Sequence, residues 1–142
     1  MKVKDIMTKN VASLNPEDTV EHAAQLMKEY NIGSLPVCNE EKVIGIITDR
    51  DIAIRSSAEG ENVQKQTVRD IMTSNPVTIK SDIDIQDATR IMSERQIRRL
   101  PVVESNNLVG MLSLGDVSVE SASNETAGEA LSNISEPSTP LL

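Results

Sequence analysis

Two loops carry the residue types best suited to chemistry: Gly45-Ile46-Ile47-Thr48-Asp49-Arg50-Asp51 and Gly110-Met111-Leu112-Ser113-Leu114-Gly115-Asp116. Each runs glycine, two apolar residues, a hydroxyl residue, two variable residues and an aspartate. The apolar pair reads as the end of a strand and the aspartate as the start of a helix. A carboxylate there suits the two vicinal hydroxyls of a ribose. A Thr or Ser at the helix start, beside backbone N–H groups without intrahelical partners, suits a phosphate oxygen. The same spacing, Ser/Thr-x-x-Asp, is also a helix capping box, which needs no ligand at all. Both readings stand on the residues alone.

Other reactive side chains offer less. His22 is the one histidine and has no partner beyond its neighbour Glu21, so it reads as a surface residue. Cys38 is the single cysteine, which excludes an intramolecular disulfide and a cysteine metal cage. It lies in an apolar run and reads as an inert buried thiol. Met7, Met27, Met72, Met92 and Met111 fall at core positions rather than in a metal-binding pattern. No nucleophile–base pair, HExxH pattern or Walker loop is present. A nucleotide hydrolase built on Thr48 and Asp51 would lack a base, a metal set and an oxyanion donor.

The elements that position the two loops follow from an internal repeat. Val3-Lys4-Asp5-Ile6-Met7-Thr8 recurs as Val68-Arg69-Asp70-Ile71-Met72-Thr73, an offset of 65. Without a gap, the same offset carries Ala23 to Ala88, Met27 to Met92, Leu35-Pro36-Val37 to Leu100-Pro101-Val102, Gly45 to Gly110 and Asp51 to Asp116. In the first half Val20, Ala23, Ala24 and Met27 make one apolar helix stripe, opened by Asp18 and Glu21 as a capping box. In the second, Ile85, Ala88, Ile91 and Met92 repeat the stripe, with Asp84 as N-cap. Leu35–Cys38 and Val43–Ile47 read as two strands about a polar turn, as do Leu100–Val103 and Leu108–Leu112. A short helix bearing Ile52 and Ile54 should follow Thr48, and one bearing Val117 and Val119 should follow Ser113.

Each half is thus β-α-β-β-α, and the chain is α+β. One such unit leaves a sheet face bare, so the two repeats are expected to pack sheet to sheet with pseudo-twofold symmetry. The organisation expected is a repeat over 1–55, a polar linker over 56–67 with Gly60 as its flexible point, a repeat over 68–120 and an acidic tail over 121–142. In the tail Ala127, Ala130, Leu131 and Ile134 fit a short helix around 125–134, followed by disordered residues.

Composition bounds the partners. Of the formal charge of −8, four units come from Glu120, Glu125, Glu129 and Glu136 in a segment without Lys or Arg, leaving −4 for residues 1–117. Such a chain repels nucleic-acid phosphates, so binding to a duplex is not expected. There is no Phe or Trp and one Tyr, so the core must be aliphatic. No apolar run reaches the ~20 residues of a membrane span and no secretory leader is visible, so the expectation is a cytoplasmic protein without a membrane partner.

Taken together, Asp-Ile-Met-Thr, the Ala-Ala-x-x-Met helix, the Leu-Pro-Val strand and the Gly-x-x-Thr/Ser-x-x-Asp end resemble a pair of CBS domains, named after cystathionine β-synthase. The resemblance covers residues 3–120, twice in register, and omits the tail. It implies a regulatory module, not an enzyme, that binds an adenosine-containing ligand between repeats and signals to a partner protein. AMP, ADP or ATP would come first, S-adenosylmethionine or NADH second, with no cofactor required. It further implies that Asp51 and Asp116 hold ribose hydroxyls, with Thr48 and Ser113 beside them. Backbone around Val11 and Val77, and residues at Ser34, Pro36 and Pro101, would frame the base. Arg98 and Arg99 replace Gly33 and Ser34 of the first half, and two guanidinium forks there suit phosphates, with Arg50 as a further candidate. A homodimer through the helices is also implied. The alternative is a scaffold that dimerises or docks a partner without any ligand.

Overall fold

The computed structural model describes residues 1–120 and 124–135. It is α+β and divides into two compact units. One comprises Val11–Val77 with Ser105–Leu108; the other comprises Met1–Asn10, Thr78–Glu104 and the described residues from Val109 onward.

In the unit around Val11–Val77, helix α2 (Val20–Tyr30) buries Val20, Ala23 and Met27 of the expected stripe and leaves Ala24 exposed. Its N-cap is Thr19, whose Oγ1 accepts from the His22 N–H at 3.1 Å. Asp18, expected to cap this helix with Glu21, instead accepts from the Asn15 N–H at 2.8 Å. The Asn15-Pro16 turn claims that carboxylate, and the helix starts one residue later. Strands β1 (Ser34–Asn39) and β2 (Lys42–Thr48) form an antiparallel hairpin. Helix α3 (Asp49–Ile52) follows β2 and runs into a π-helical turn over Ala53–Ser57. Leu14, Leu35, Val37, Ile47, Val68 and Ile71 join the α2 stripe in the core.

The connector Ser56–Thr67 is less of a loose linker than expected. Val63 packs on the core. The Val63 and Gln66 carbonyls accept from the Glu21 and Val20 N–H groups at 2.9 Å, satisfying two of the free donors at the start of α2. Gly60 does sit in the left-handed region, with φ +71.

The other unit repeats the plan. Helix α5 (Ile85–Arg95) is capped by Asp84, which accepts from the Gln86 N–H at 2.9 Å. Strand β4 (Ile79–Lys80) lies parallel to β5 (Arg99–Glu104), and β6 (Asn107–Ser113) is the other neighbour of β5. Helix α6 (Leu114–Ser118) follows β6. The tail helix, expected around 125–134, spans Asn124–Ser135 as α7 and packs on α5 and α6. The segments expected to be disordered beyond it lie outside the described residues.

The repeat is visible in detail. Non-glycine residues with left-handed φ recur at the same offset: Asn10 and Asn75, Asn31 and Gln96, Glu40 and Ser105. The compact units, however, are not the sequence repeats. Helix α1 (Val3–Ile6) of the first repeat docks beside α5, with the Val3 N–H donating to Ile83 O and the Lys4 N–H to Ser81 O, both at 2.9 Å. Helix α4 (Val68–Ile71) of the second repeat docks beside α2 through the equivalent pairs, Val68 to Asp18 O at 2.8 Å and Arg69 to Pro16 O at 3.0 Å. The repeats have exchanged their leading segments.

That exchange explains the glycine of each loop motif. Strand β3 (Thr73–Ser74) pairs with β2 so that Gly45 faces Ser74, and a Cβ on Gly45 would lie 2.5 Å from Met72 Sδ and 3.0 Å from Thr73 O. A Cβ on Gly110 would lie 2.7 Å from Met7 Sδ and 2.8 Å from Thr8 O. Only glycine lets the incoming segment approach this closely.

Candidate functional site

Both loop motifs form at the end of a strand, as their apolar pairs require. In the first, Thr48 Oγ1 accepts from the Asp51 N–H at 3.1 Å and Asp51 Oδ2 accepts from the Thr48 N–H at 2.9 Å. In the second, Ser113 Oγ accepts from the Asp116 N–H and Asp116 Oδ2 from the Ser113 N–H, each at 3.0 Å. Both are full capping boxes. The structural role written into Ser/Thr-x-x-Asp is therefore real, and each aspartate keeps Oδ1 for another partner.

At Asp51 that partner is Arg55, whose Nε lies 3.9 Å from Oδ1 while its Nη1 donates to Ile71 O at 3.1 Å. Arg55 was not singled out in the sequence, although its spacing of four from Asp51 on a helix is a recognisable ion-pair signal. The equivalent residue in the second half is Glu120. Arg50 is exposed beside Asp49, which receives its backbone N–H at 2.8 Å. Val11 is half-buried, and Ser34 and Pro36 are buried in and beside the hairpin, where Ser34 pairs with Thr48 and Pro36 with Ile46.

In the other unit the structure brings three of the expected residues together. Arg98, Arg99 and Ser113 line one open cavity of about 440 Å³, with Leu114, Gly115 and Ser118 of α6 and Ala127, Gly128 and Leu131 of α7. The volume is within the range of small-molecule pockets, roughly 300–1,000 Å³. Both arginines are exposed, so their guanidiniums are hydrated and available. The Leu114 N–H donates to Arg98 O at 2.8 Å, which ties the arginine pair to the loop that follows β6. Asp116 and Pro101 do not line this cavity; Asp116 connects to it through its cap with Ser113. Val77 ends the main segment of the Val11–Val77 unit, where it is half-buried.

The remaining candidates are structural. His22 is exposed. Cys38 is buried, and burial pushes its thiol pKa up against the opposing pull of a hydrogen bond with Ser13. Among the described residues no group of three or more His, Cys, Asp or Glu is placed to hold a metal ion.

Comparison with known proteins decides the family. The CBS domain model matches twice, over residues 3–57 and 68–123. The chain belongs to the CBS domain family. The CBS domain-containing protein YhcV of Bacillus subtilis (strain 168) is 46% identical over 133 residues, 94% of this chain and 94% of its own length. The crystal structure of CBSX2 in complex with AMP has a TM-score of 0.75 at 29% identity, covering 87% of this chain and 98% of that one. The CBS domain pair of protein MJ0100, in complex with 5′-methylthioadenosine and S-adenosyl-L-methionine, has a TM-score of 0.75 at 32% identity, covering 83% and 93%. The α+β fold with two CBS repeats is that of these relatives. A CBS pair is a ligand-binding regulatory unit rather than a catalytic one, and this chain is not an enzyme.

Proposed function

We propose that this CBS pair senses a phosphorylated adenosine ligand, with AMP, ADP or ATP as first candidates, and passes its occupancy to a partner protein. One observation carries the reading: the cavity that joins Arg98, Arg99 and Ser113 in a protein whose structural relatives are solved with AMP and with S-adenosylmethionine. Arg98 and Arg99 take the phosphates, Ser113 an adjoining oxygen, and Asp116 offers Oδ1 to the ribose. Pro101 and Val77, expected to frame the base, are not among the residues that line this cavity. Thr48, Asp51, Arg50, Val11, Ser34 and Pro36 are the matching set of the first half. There Arg55 already faces Asp51 Oδ1, so a ribose must compete with it, and the second half is the better site.

The protein is further proposed to act in the cytoplasm as a homodimer. Of the apolar residues on the short helices after each loop, Ile54 and Val119, exposed by 49% and 80%, offer area to bury against a second copy, whereas Val117 is buried and Ile52 packs on the core. Among the described residues no helix is long and apolar enough to cross a membrane. The second reading, a scaffold that needs no ligand, is favoured by the two complete capping boxes, which account for Thr48, Asp51, Ser113 and Asp116 without one.

A thermal-shift panel of AMP, ADP, ATP, S-adenosylmethionine and NADH separates the two. A ligand at one hundred times its dissociation constant stabilises by about 2.7 kcal/mol. A clear rise with an adenosine phosphate supports the sensor; no rise with any of the five supports the scaffold. Light scattering at micromolar concentration tests the dimer, and a monomeric mass refutes it.

A further inference from the structure

The second repeat departs from the first at two places beside the tail helix. Asp49 and Arg50 are exposed, but their counterparts Leu114 and Gly115 lie at the cavity beside α7, and Leu114 is only 6% exposed. Ala24 is exposed, whereas its counterpart Thr89, on the helix that α7 packs against, is 2% exposed. The second half is built to carry α7 and the first is not.

The face of α7 toward the cavity is unfinished. Ala127 is buried, but Leu131, which lines the cavity, remains 44% exposed. Gly128 is exposed, and a Cβ built on it meets nothing within 4 Å. Glycine is the poorest helix former after proline, and no close packing requires it here. What its missing side chain leaves is room. The one described charged side chain of α7, Glu129, lies elsewhere, in the groove with Gln86 and Arg90 of α5. Among the described residues the cavity face of α7 is therefore small, apolar and uncharged, in a cavity it shares with two arginines. With α7 docked the cavity still measures about 440 Å³, so the helix is a wall and not a plug.

We infer that α7 is a working wall of the ligand site. An adenosine phosphate with its anionic groups on Arg98 and Arg99 lays its apolar part against Ala127, Gly128 and Leu131. This rests on the adenosine reading above and adds the element that registers occupancy. α7 rests on α5 and α6 through small side chains, with Ala127 and Ala130 buried there. A ligand that touches both walls favours the docked helix, and by linkage the docked helix favours the ligand to the same degree. α7, outside both matched repeats, is thereby the segment whose position a partner reads.

The test uses the full chain and AMP. Hydrogen exchange of the α7 amides should slow roughly tenfold on saturation, as for any segment held by its ligand. Gly128→Leu, whose Cβ has open space, extends a side chain toward the cavity and should weaken AMP binding at one site per chain by tenfold or more, about 1.4 kcal/mol. Its melting temperature should equal or exceed the parent's. Glu129→Ala, on α7 but in the groove with Gln86 and Arg90 and not in the cavity, should bind as the parent does. Should Gly128→Leu fail to fold, α7 exchange in the parent decides alone. Exchange indifferent to AMP, or a folded Gly128→Leu that binds AMP with the parent's affinity and stoichiometry, overturns the role of α7 and leaves the adenosine reading standing. A parent that binds no AMP overturns both.

Discussion

Replacing Gly110 by alanine tests whether the exchanged leading segment holds its unit together. The new Cβ would stand 2.7 Å from Met7 Sδ and 2.8 Å from Thr8 O. The thioether can swing aside, because Met7 is only half-buried. The carbonyl cannot: Thr8 O accepts from the Met111 N–H at 3.0 Å, and the Thr8 N–H donates to Met111 O at 2.9 Å. Relieving the clash stretches both bonds, worth about 0.5–1.5 kcal/mol each. The overpacking itself costs about 1–3 kcal/mol. Against this, alanine restricts the unfolded chain and returns about 0.4–1 kcal/mol. The net destabilisation is about 1–5 kcal/mol, with about 3 kcal/mol at the middle of the ranges. With a urea m-value of about 2 kcal/mol per molar, the mid-range loss lowers the unfolding midpoint by about 1.5 M. Gly128→Ala is the matched control, since its Cβ has open space, and it should stabilise by up to about 1 kcal/mol. A Gly110→Ala protein with the parent's midpoint would show that the leading segment does not press on β6, and the account of both motif glycines would fail.

Asp51→Ala and Asp116→Ala should each cost about 1 kcal/mol of stability, because each removes the carboxylate that accepts the N-cap amide. If Asp116 also holds a ribose, its loss weakens the nucleotide by about ten- to a hundredfold; unchanged affinity with reduced stability leaves it a cap and nothing more. Cys38 should react slowly with a thiol reagent at pH 7–8 and quickly once urea unfolds the chain. The sign follows from its raised pKa, which keeps the folded thiol protonated over a pH range in which an ordinary cysteine is becoming thiolate. Prompt labelling of the folded chain contradicts the buried assignment.

The parts of the fold set by local periodicity were readable from the residues. The apolar stripes of α2 and α5, the two hairpins, the loop capping boxes and the α7 stripe all follow from spacing of two or of three and four. Choices between nearly equivalent neighbours were less so. Asp18 and Thr19 are both good N-caps, and only the claim of the Asn15 turn on Asp18 settles which one serves. Partner choice was not legible. Nothing in Val3–Ile6 says that it docks beside α5 rather than α2, since both repeats carry the same receptor surface, nor does the stripe of α7 say what it covers. Val63, alone in a polar connector, gave no periodic signal, yet it packs on the core. Arg98, Arg99 and Ser113, singled out from the sequence, line one cavity; that α7 lines it too was not legible.

The central claim is that Arg98 and Arg99 make this CBS pair a sensor of adenosine phosphates. Calorimetric titration of adenosine, AMP and ATP into the parent and into the double variant Arg98→Gly, Arg99→Ser, the residues found at the equivalent positions of the first half, tests it most directly. On a chain of net charge −8, a polyphosphate needs local positive charge to offset the global repulsion. The parent should therefore bind more tightly from adenosine to AMP to ATP, and less so as salt is added. The double variant should lose most of that dependence on phosphate and keep its affinity for adenosine. A double variant that binds AMP and ATP as well as the parent does contradicts the claim.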